Sequence, residues 1–305
     1  MINKIYILLF ASLFYVSLYA QTEKLNSQFP LERRLSFYNL DTEKGLSNNN
    51  VKSIVQDSLG FIWIGTSDGL NMYDGNEFKI FRRESSALSN NYIQNLILSK
   101  SGEIKIATDG GVNSYHPRKE QLTLFNDIDP TLSLSINSLV ELQDSRLIIG
   151  AYNQGLHIYN KKNKEAYLGG NALTSSKISS LVNQQDSIIW IGTFDKGLDK
   201  LNLRTLEVEH ISIDTKTTKS NWINCLFIDS KNNLWIGTNN GLTIRTPEGT
   251  LLSLNKSHSK KGLSDNQVQA VAEDNYGQIW IGTYGGGLNI IDPELFFKND
   301  LRFGV

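Results

Sequence analysis

The sequence predicts an all-β fold, a β-propeller of about six four-stranded blades, and three observations carry that reading. One short phrase occurs six times: FIWIGTSDGL from Phe61, EIKIATDGGV from Glu103, RLIIGAYNQGL from Arg146, IIWIGTFDKGL from Ile188, NLWIGTNNGL from Asn233 and QIWIGTYGGGL from Gln278. The positions aligned with Trp63 are Lys105, Ile148, Trp190, Trp235 and Trp280, so successive copies lie 42, 43, 42, 45 and 45 residues apart. Each copy also holds several short apolar runs separated by turn residues. A period of about 40–45 residues is the length of one propeller blade, a sheet too small to bury both faces unless its neighbours stack on it.

Within a repeat the elements follow a fixed order. Strand a is VKSIV (from Val51), IQNLI (Ile93), INSLV (Ile136), ISSLV (Ile178), INCLF (Ile223) or VQAVA (Val268). A polar turn follows, such as DSLG at Asp57 or DNYG at Asp274, with residues that take φ > 0 cheaply. The WIGT segment is strand b, β-branched on both faces as befits a covered strand. Its third position holds Gly65, Ala107, Gly150, Gly192, Gly237 and Gly282, which predicts close approach of neighbouring backbone. Strand c is LNMYD, LHIYN, LDKLN or LNIID; strand d (FKIF, LTLF, VEHI) varies more and suits an outer edge. Two copies lack the strand-b Trp, so the indole reads as a packing preference.

Residues 35–292 are assigned to the propeller. LSFYNL (35–40) reads as a strand d that completes the last blade and closes the ring, leaving residues 293–305 as a tail and 21–34 as a polar leader. The first twenty residues carry Lys4 and then an uncharged run from Ile5 to Tyr19, short of the ~20 residues of a membrane-spanning helix, with Ala20 before a polar stretch. They read as a signal peptide, which predicts a periplasmic or secreted protein.

Thirty Lys and Arg against 31 Asp and Glu give a formal charge of −1 with no basic stripe, which argues against a nucleic-acid partner. The only cysteine, Cys225, aligns with Ser53, Asn95, Ser138, Ser180 and Ala270 and reads as a small packing residue. His116, His157, His210 and His258 share no repeat position and no metal-ligand spacing, so neither a metal nor a cofactor is expected. The turns from Asp57 to Trp63 and Asp274 to Trp280 superficially share the Asp-box spacing of sialidases, yet their Gly falls one residue later; Asp57, Asp229 and Asp274 read as turn caps.

The stretches GLSNNNVKSIVQDSLGFIWIGTSDGLNMYDG (Gly45–Gly75) and GLSDNQVQAVAEDNYGQIWIGTYGGGLNIID (Gly262–Asp292) resemble two-component regulator propeller repeats, found in the periplasmic sensor halves of hybrid histidine kinases of Bacteroidetes-type bacteria. The resemblance implies a sensing module, in many members for oligosaccharides, working with a membrane-bound signalling partner. Such sensors usually carry longer arrays with seven blades per ring, then an immunoglobulin-like module, a membrane span, a kinase and a DNA-binding output, none of which appears in these residues.

Strands a and b run antiparallel, so the residue before a and the loop after b share one rim. Before a stand Asn50, Tyr92, Ser135, Lys177, Trp222 and Gln267. After b, three longer loops each begin with an aromatic residue: Tyr152-Asn153-Gln154, Phe194-Asp195-Lys196 and Tyr284-Gly285-Gly286. Aromatic faces among amides and charges suit a sugar, which stacks on one and hydrogen-bonds the others. Ligand binding is therefore assigned to Tyr92, Tyr152, Asn153, Phe194, Asp195, Lys196, Trp222 and Tyr284; the same aromatics could instead plug the channel or wedge blades apart. No catalytic residue is assigned. A propeller lyase or glycan hydrolase would need paired acid and base groups, which Asp68, Asp109, Asp195 and Asp265 do not show by pattern. A protein-interaction scaffold is the third reading.

Overall fold

The fold comes from a computed structural model that describes residues 37–125, 135–159, 166–168, 172–215, 219–256, 262–297 and 303–304. The expected signal peptide and polar leader lie outside these residues, as does His258.

Six four-stranded antiparallel sheets follow one another, each ordered a-b-c-d as in the sequence, and together they form a β-propeller. The first blade is Val51–Gln56, Ile62–Thr66, Gly69–Tyr73 and Phe78–Phe81; the inner strands of the others are Ile93–Leu98, Ile136–Glu141, Ile178–Gln184, Ile223–Ile228 and Val268–Glu273. The outer strand of the last blade is Phe303–Gly304. It follows a one-turn helix, Pro293–Phe297, whose Phe296 and Phe297 pack on the core between the fifth and sixth blades. Residues 37–40 carry no strand. The expectation that residues 35–40 would complete the last blade, with 293–305 only a tail, is therefore corrected: residues 303–304 take the outer place, after a helix whose Phe296 and Phe297 are anchored on the apolar core.

The core is divided among the blade junctions. Five apolar clusters, one between each pair of successive blades, bury strand-b and strand-c residues of one sheet against strand-a and strand-b residues of the next. At the strand-b glycines of the first, third, fourth and fifth blades the first residue of the following strand a closes in. A Cβ added at Gly65, Gly150 or Gly192 would lie 2.5, 2.6 or 2.7 Å from Cγ2 of Ile93, Ile178 or Ile223, and one at Gly237 would lie 2.8 Å from Val268 Cγ1. The close approach expected at these glycines is real, but a side chain makes it rather than backbone. A β-branched knob fills the hole that glycine leaves. Beside it, Ser53 Oγ, Asn95 Oδ1, Ser138 Oγ and Ser180 Oγ accept the backbone N–H of Leu96, Leu139, Leu181 and Leu226 in the next blade.

The two end blades leave their halves of this interface open. Ile54 is 62% exposed, whereas its equivalents Leu96, Leu139, Leu181 and Leu226 are buried. Val51 is exposed where Ile93, Ile136, Ile178, Ile223 and Val268 are fully buried. Around Gly282, nothing comes nearer an added Cβ than Ala270 of its own blade, at 3.8 Å.

Asp57, Asp229 and Asp274 cap their turns as expected, Oδ1 accepting backbone N–H groups two and four residues on. They also do something the sequence reading missed. Their Oδ2 atoms accept from the indoles of Trp63, Trp235 and Trp280 at 2.8, 2.8 and 2.9 Å. In the fourth blade Gln184 Oε1 takes that role for Trp190 at 2.8 Å. A constant spacing of six residues between acceptor and Trp was the available signal. Where Lys105 replaces Trp, its ammonium is bonded by Glu103 and Ser114 and lies over the Phe125 ring.

Cys225 as a residue is only partly buried, but its Sγ is turned onto Gly237, and desolvation there pushes the thiol up to about 12. Such a thiol stays protonated and unreactive at neutral pH.

Candidate functional site

The rim listed from the sequence is assembled by one hydrogen bond per blade. The N–H of the first residue after strand b donates to the carbonyl of the residue before strand a: Ser67 to Asn50, Asp109 to Tyr92, Tyr152 to Ser135, Phe194 to Lys177, Asn239 to Trp222 and Tyr284 to Gln267. A second set ties each loop to its neighbour, with Gly69, Gly155, Gly197 and Gly241 donating to Asn91, Ser176, Asn221 and Asn266 of the following blade. Loop position is thereby fixed by backbone, leaving the loop side chains free to face outward.

Three of the five rim aromatics meet. Phe194, in the loop of the fourth blade, lies edge-to-face between Tyr152 of the third and Trp222 of the fifth, with centroids 5.7 Å apart on both sides and interplanar angles of 71° and 84°. Phe194 is half-buried while Tyr152 and Trp222 are 43% and 47% exposed, so the middle ring braces two outer rings that stay partly open to solvent. Tyr92 and Tyr284 join no ring of this ladder among the described residues. Tyr92 sits under the ammonium of Lys52, 5.4 Å from its centroid, and Tyr284 is exposed alone on the last blade.

The polar residues assigned with them are in place. Asn153 is exposed in the left-handed region at φ 64°, a conformation Asn tolerates. Asp195 accepts from Ser175 Oγ at 2.6 Å and pairs with Lys177 Nζ at 3.1 Å. Partial burial would raise its pKa, but those hydrogen bonds and the charges of Lys177 and Lys196 outweigh it and hold the carboxyl below its ordinary value. Lys196 is exposed. The other rim carboxylates are also engaged: Asp68 by Arg82, Asp109 by Gln94 and Ser135, and Asp265 by Lys256. Backbone bonding from Gln267 and the Lys256 contact keep Asp265 below its ordinary value too.

A further set of rim residues escaped the sequence reading. Every strand a carries a β-bulge at its second residue, between Val51 and Ser53 in the first blade and at the equivalent step in the other five. Bulges re-aim the extra side chain. Gln94 thereby reaches Asp109, and Asn224 reaches Asn239 and the carbonyl of Val268, while Asn137 donates to the carbonyl of Ile178. A polar residue at this position in all six copies was the signal.

The profile of the two component regulator propeller family matches residues 45–68, 218–240 and 262–285. Over 67 residues the chain is 46% identical to Histidine kinase P4 of Formosa agariphila, a stretch that covers 22% of this chain and 4% of that protein. Among solved structures the fold is similar to two extracellular domains from B. thetaiotaomicron. One is assigned to a one component system (TM-score 0.70, 24% identity, 86% of this chain and 37% of that one). The other is assigned to a hybrid two component system (TM-score 0.63, 24% identity, 84% and 41%). It is also similar in fold to virginiamycin B lyase from Staphylococcus aureus, solved as an inactive variant with quinupristin (TM-score 0.65, 12% identity, 84% of each chain). The chain thus spans a small part of the kinase and about two fifths of the extracellular domains. With six in-register copies of one phrase this protein is a β-propeller, and three of its segments match the two component regulator propeller repeat.

Proposed function

We propose that this chain is an extracytoplasmic ligand-binding propeller of the sensing type, that its rim over the third to fifth blades takes a carbohydrate-type ligand, and that a membrane-bound signalling partner supplies the output. The observation that carries this is the Tyr152–Phe194–Trp222 ladder, whose outer rings stay close to half exposed beside amide and charged groups. Rings used only to wedge blades would be buried on both sides. The resemblance of the repeats to those of sensor kinases supports a sensing role. Against the lyase or hydrolase reading stand Asp195 and Asp265, both held below their ordinary values, since a general acid needs a raised carboxyl. A glycan array probed with the purified chain tests the proposal. Retention of one saccharide class, lost when Trp222 is replaced, supports it; turnover of a bound glycan would replace it with the enzyme reading.

A further inference from the structure

The charges around the rim are not evenly balanced. On the first and last blades each rim carboxylate meets one cation, Asp68 with Arg82 at 3.0 Å and Asp265 with Lys256 at 3.1 Å, and the further cation of the first blade, Lys52, lies over the Tyr92 ring away from the ladder. On the second blade Asp109 is held by a hydroxyl and an amide without a cation in the bond. At the ladder the balance reverses. Lys177 and Lys196 flank the single carboxylate Asp195; Lys177 takes the ion pair, and Lys196 makes none among the described residues while its charge still acts on Asp195. Lys219, three residues before Trp222, accepts at its carbonyl from Asn240 of the adjacent loop and brings a third exposed cation to the same sector.

Placement makes this surplus more than scattered surface charge. The carbonyl of Lys177 receives the N–H of Phe194, and Asp195 and Lys196 follow Phe194 in the same loop. The loop backbone is pinned on both sides, at Thr193 Oγ1 by the Lys196 N–H and at Asn221 by Gly197. The cations are therefore delivered beside the middle ring of the ladder by a rigid segment. A sugar stacked on Tyr152 or Trp222 would carry its substituents over Lys196 and the Lys177–Asp195 pair. A neutral hydroxyl gains little from an unpaired ammonium, whereas a carboxylate or sulfate forms a charge-assisted hydrogen bond with it. Resting on the saccharide reading above, we infer that the rim site selects acidic oligosaccharides, those bearing carboxylate or sulfate groups, with Lys196 as the discriminating cation and Asp195 as a counter-charge that occupies Lys177.

Paired probes test this: oligogalacturonate against its methyl ester, and sulfated against desulfated heparin tetrasaccharide, each titrated into the full chain by calorimetry, beside a panel of neutral tetrasaccharides. The acidic member of at least one pair is expected to bind more tightly than its neutral partner and to weaken as NaCl rises. Lys196→Gln should erode that preference roughly fivefold, the size of one half-exposed charge contact. Asp195→Asn should strengthen acidic binding, because removing the counter-charge frees Lys177. A merely structural loop role would make both variants weaker, and that outcome overturns the inference. Neutral tetrasaccharides binding as well as acidic ones, without salt dependence, would overturn the acid selectivity and leave the saccharide reading intact. Failure of every acidic and neutral probe, against an unchanged folded chain, would count against both.

Discussion

The Phe194 ring stands 5.7 Å from that of Trp222 and nearly perpendicular to it, at 84°. An edge-to-face contact of this kind steadies an indole that stays 47% exposed. The relationship joins two repeats, since Phe194 follows strand b of the fourth blade and Trp222 precedes strand a of the fifth.

Trp222→Ala should weaken glycan binding by ~2 kcal/mol or more, as expected for an aromatic anchor at a binding centre. The unfolding midpoint should stay nearly constant, because the indole is already about half exposed. Tyr152→Ala should behave alike. Calorimetric titration beside a denaturant melt checks both, and a lowered midpoint with binding intact would mark the ladder as packing.

Asp229→Ala should destabilise the fold by roughly 3 kcal/mol, since it leaves the buried Trp235 indole N–H and the turn N–H groups of Lys231 and Asn233 without their acceptor. Asp229→Asn, which keeps an acceptor oxygen, should recover part of the loss. Urea unfolding followed by Trp fluorescence gives both numbers.

Gly192→Val and Gly282→Val should differ sharply. At Gly192 even the first added carbon meets Ile223 at 2.7 Å, so overpacking is expected to cost ~1–3 kcal/mol or more. At Gly282 the space is open to 3.8 Å, and the change should fall within about 0.5 kcal/mol beyond any strand preference. Equal losses at the two sites would mean that another blade face covers Gly282 in solution.

The Lys177–Asp195 pair sets an acid limit on rim geometry. Asp195 is held below its ordinary value, so its contribution is present above the unfolded-state pKa and fades only as pH falls through the lower folded value. Ligand affinity should then be flat over roughly pH 5–8, where all the groups concerned keep their charge. Below that range protonation of Asp195 frees Lys177 as Asp195→Asn does, so affinity for a sulfated probe, whose own charge persists, should rise as pH falls through the lowered Asp195 value. A bell-shaped profile near neutrality would instead indicate working acid and base groups.

Cys225 should resist thiol reagents until the chain unfolds, given a thiol pushed up to about 12 by burial. Its labelling rate should therefore track the unfolded fraction across a urea series, and rapid labelling of the native protein would contradict the packing of the fifth blade.

The repeat, blade number, strand order and common rim were all legible in the sequence. Each depends on local periodicity: a six-fold phrase, alternating β-branched residues and antiparallel neighbours separated by short turns. Even the rim residues could be named, because antiparallel pairing fixes which loop ends meet. Tertiary structure decided what periodicity does not encode. It showed that the strand-b glycines receive a knob from the next blade, that the strand-b Trp is anchored by an acceptor six residues earlier, and that bulges turn the second residue of each strand a toward the rim. It also brought Tyr152, Phe194 and Trp222, of the five rim aromatics, into contact and put the last outer strand at Phe303–Gly304. These outcomes depend on distances between residues far apart in the chain. A repeat pattern treats all blades as equal, whereas packing separates a blade with neighbours on both sides from the two that leave Ile54 and Gly282 uncovered.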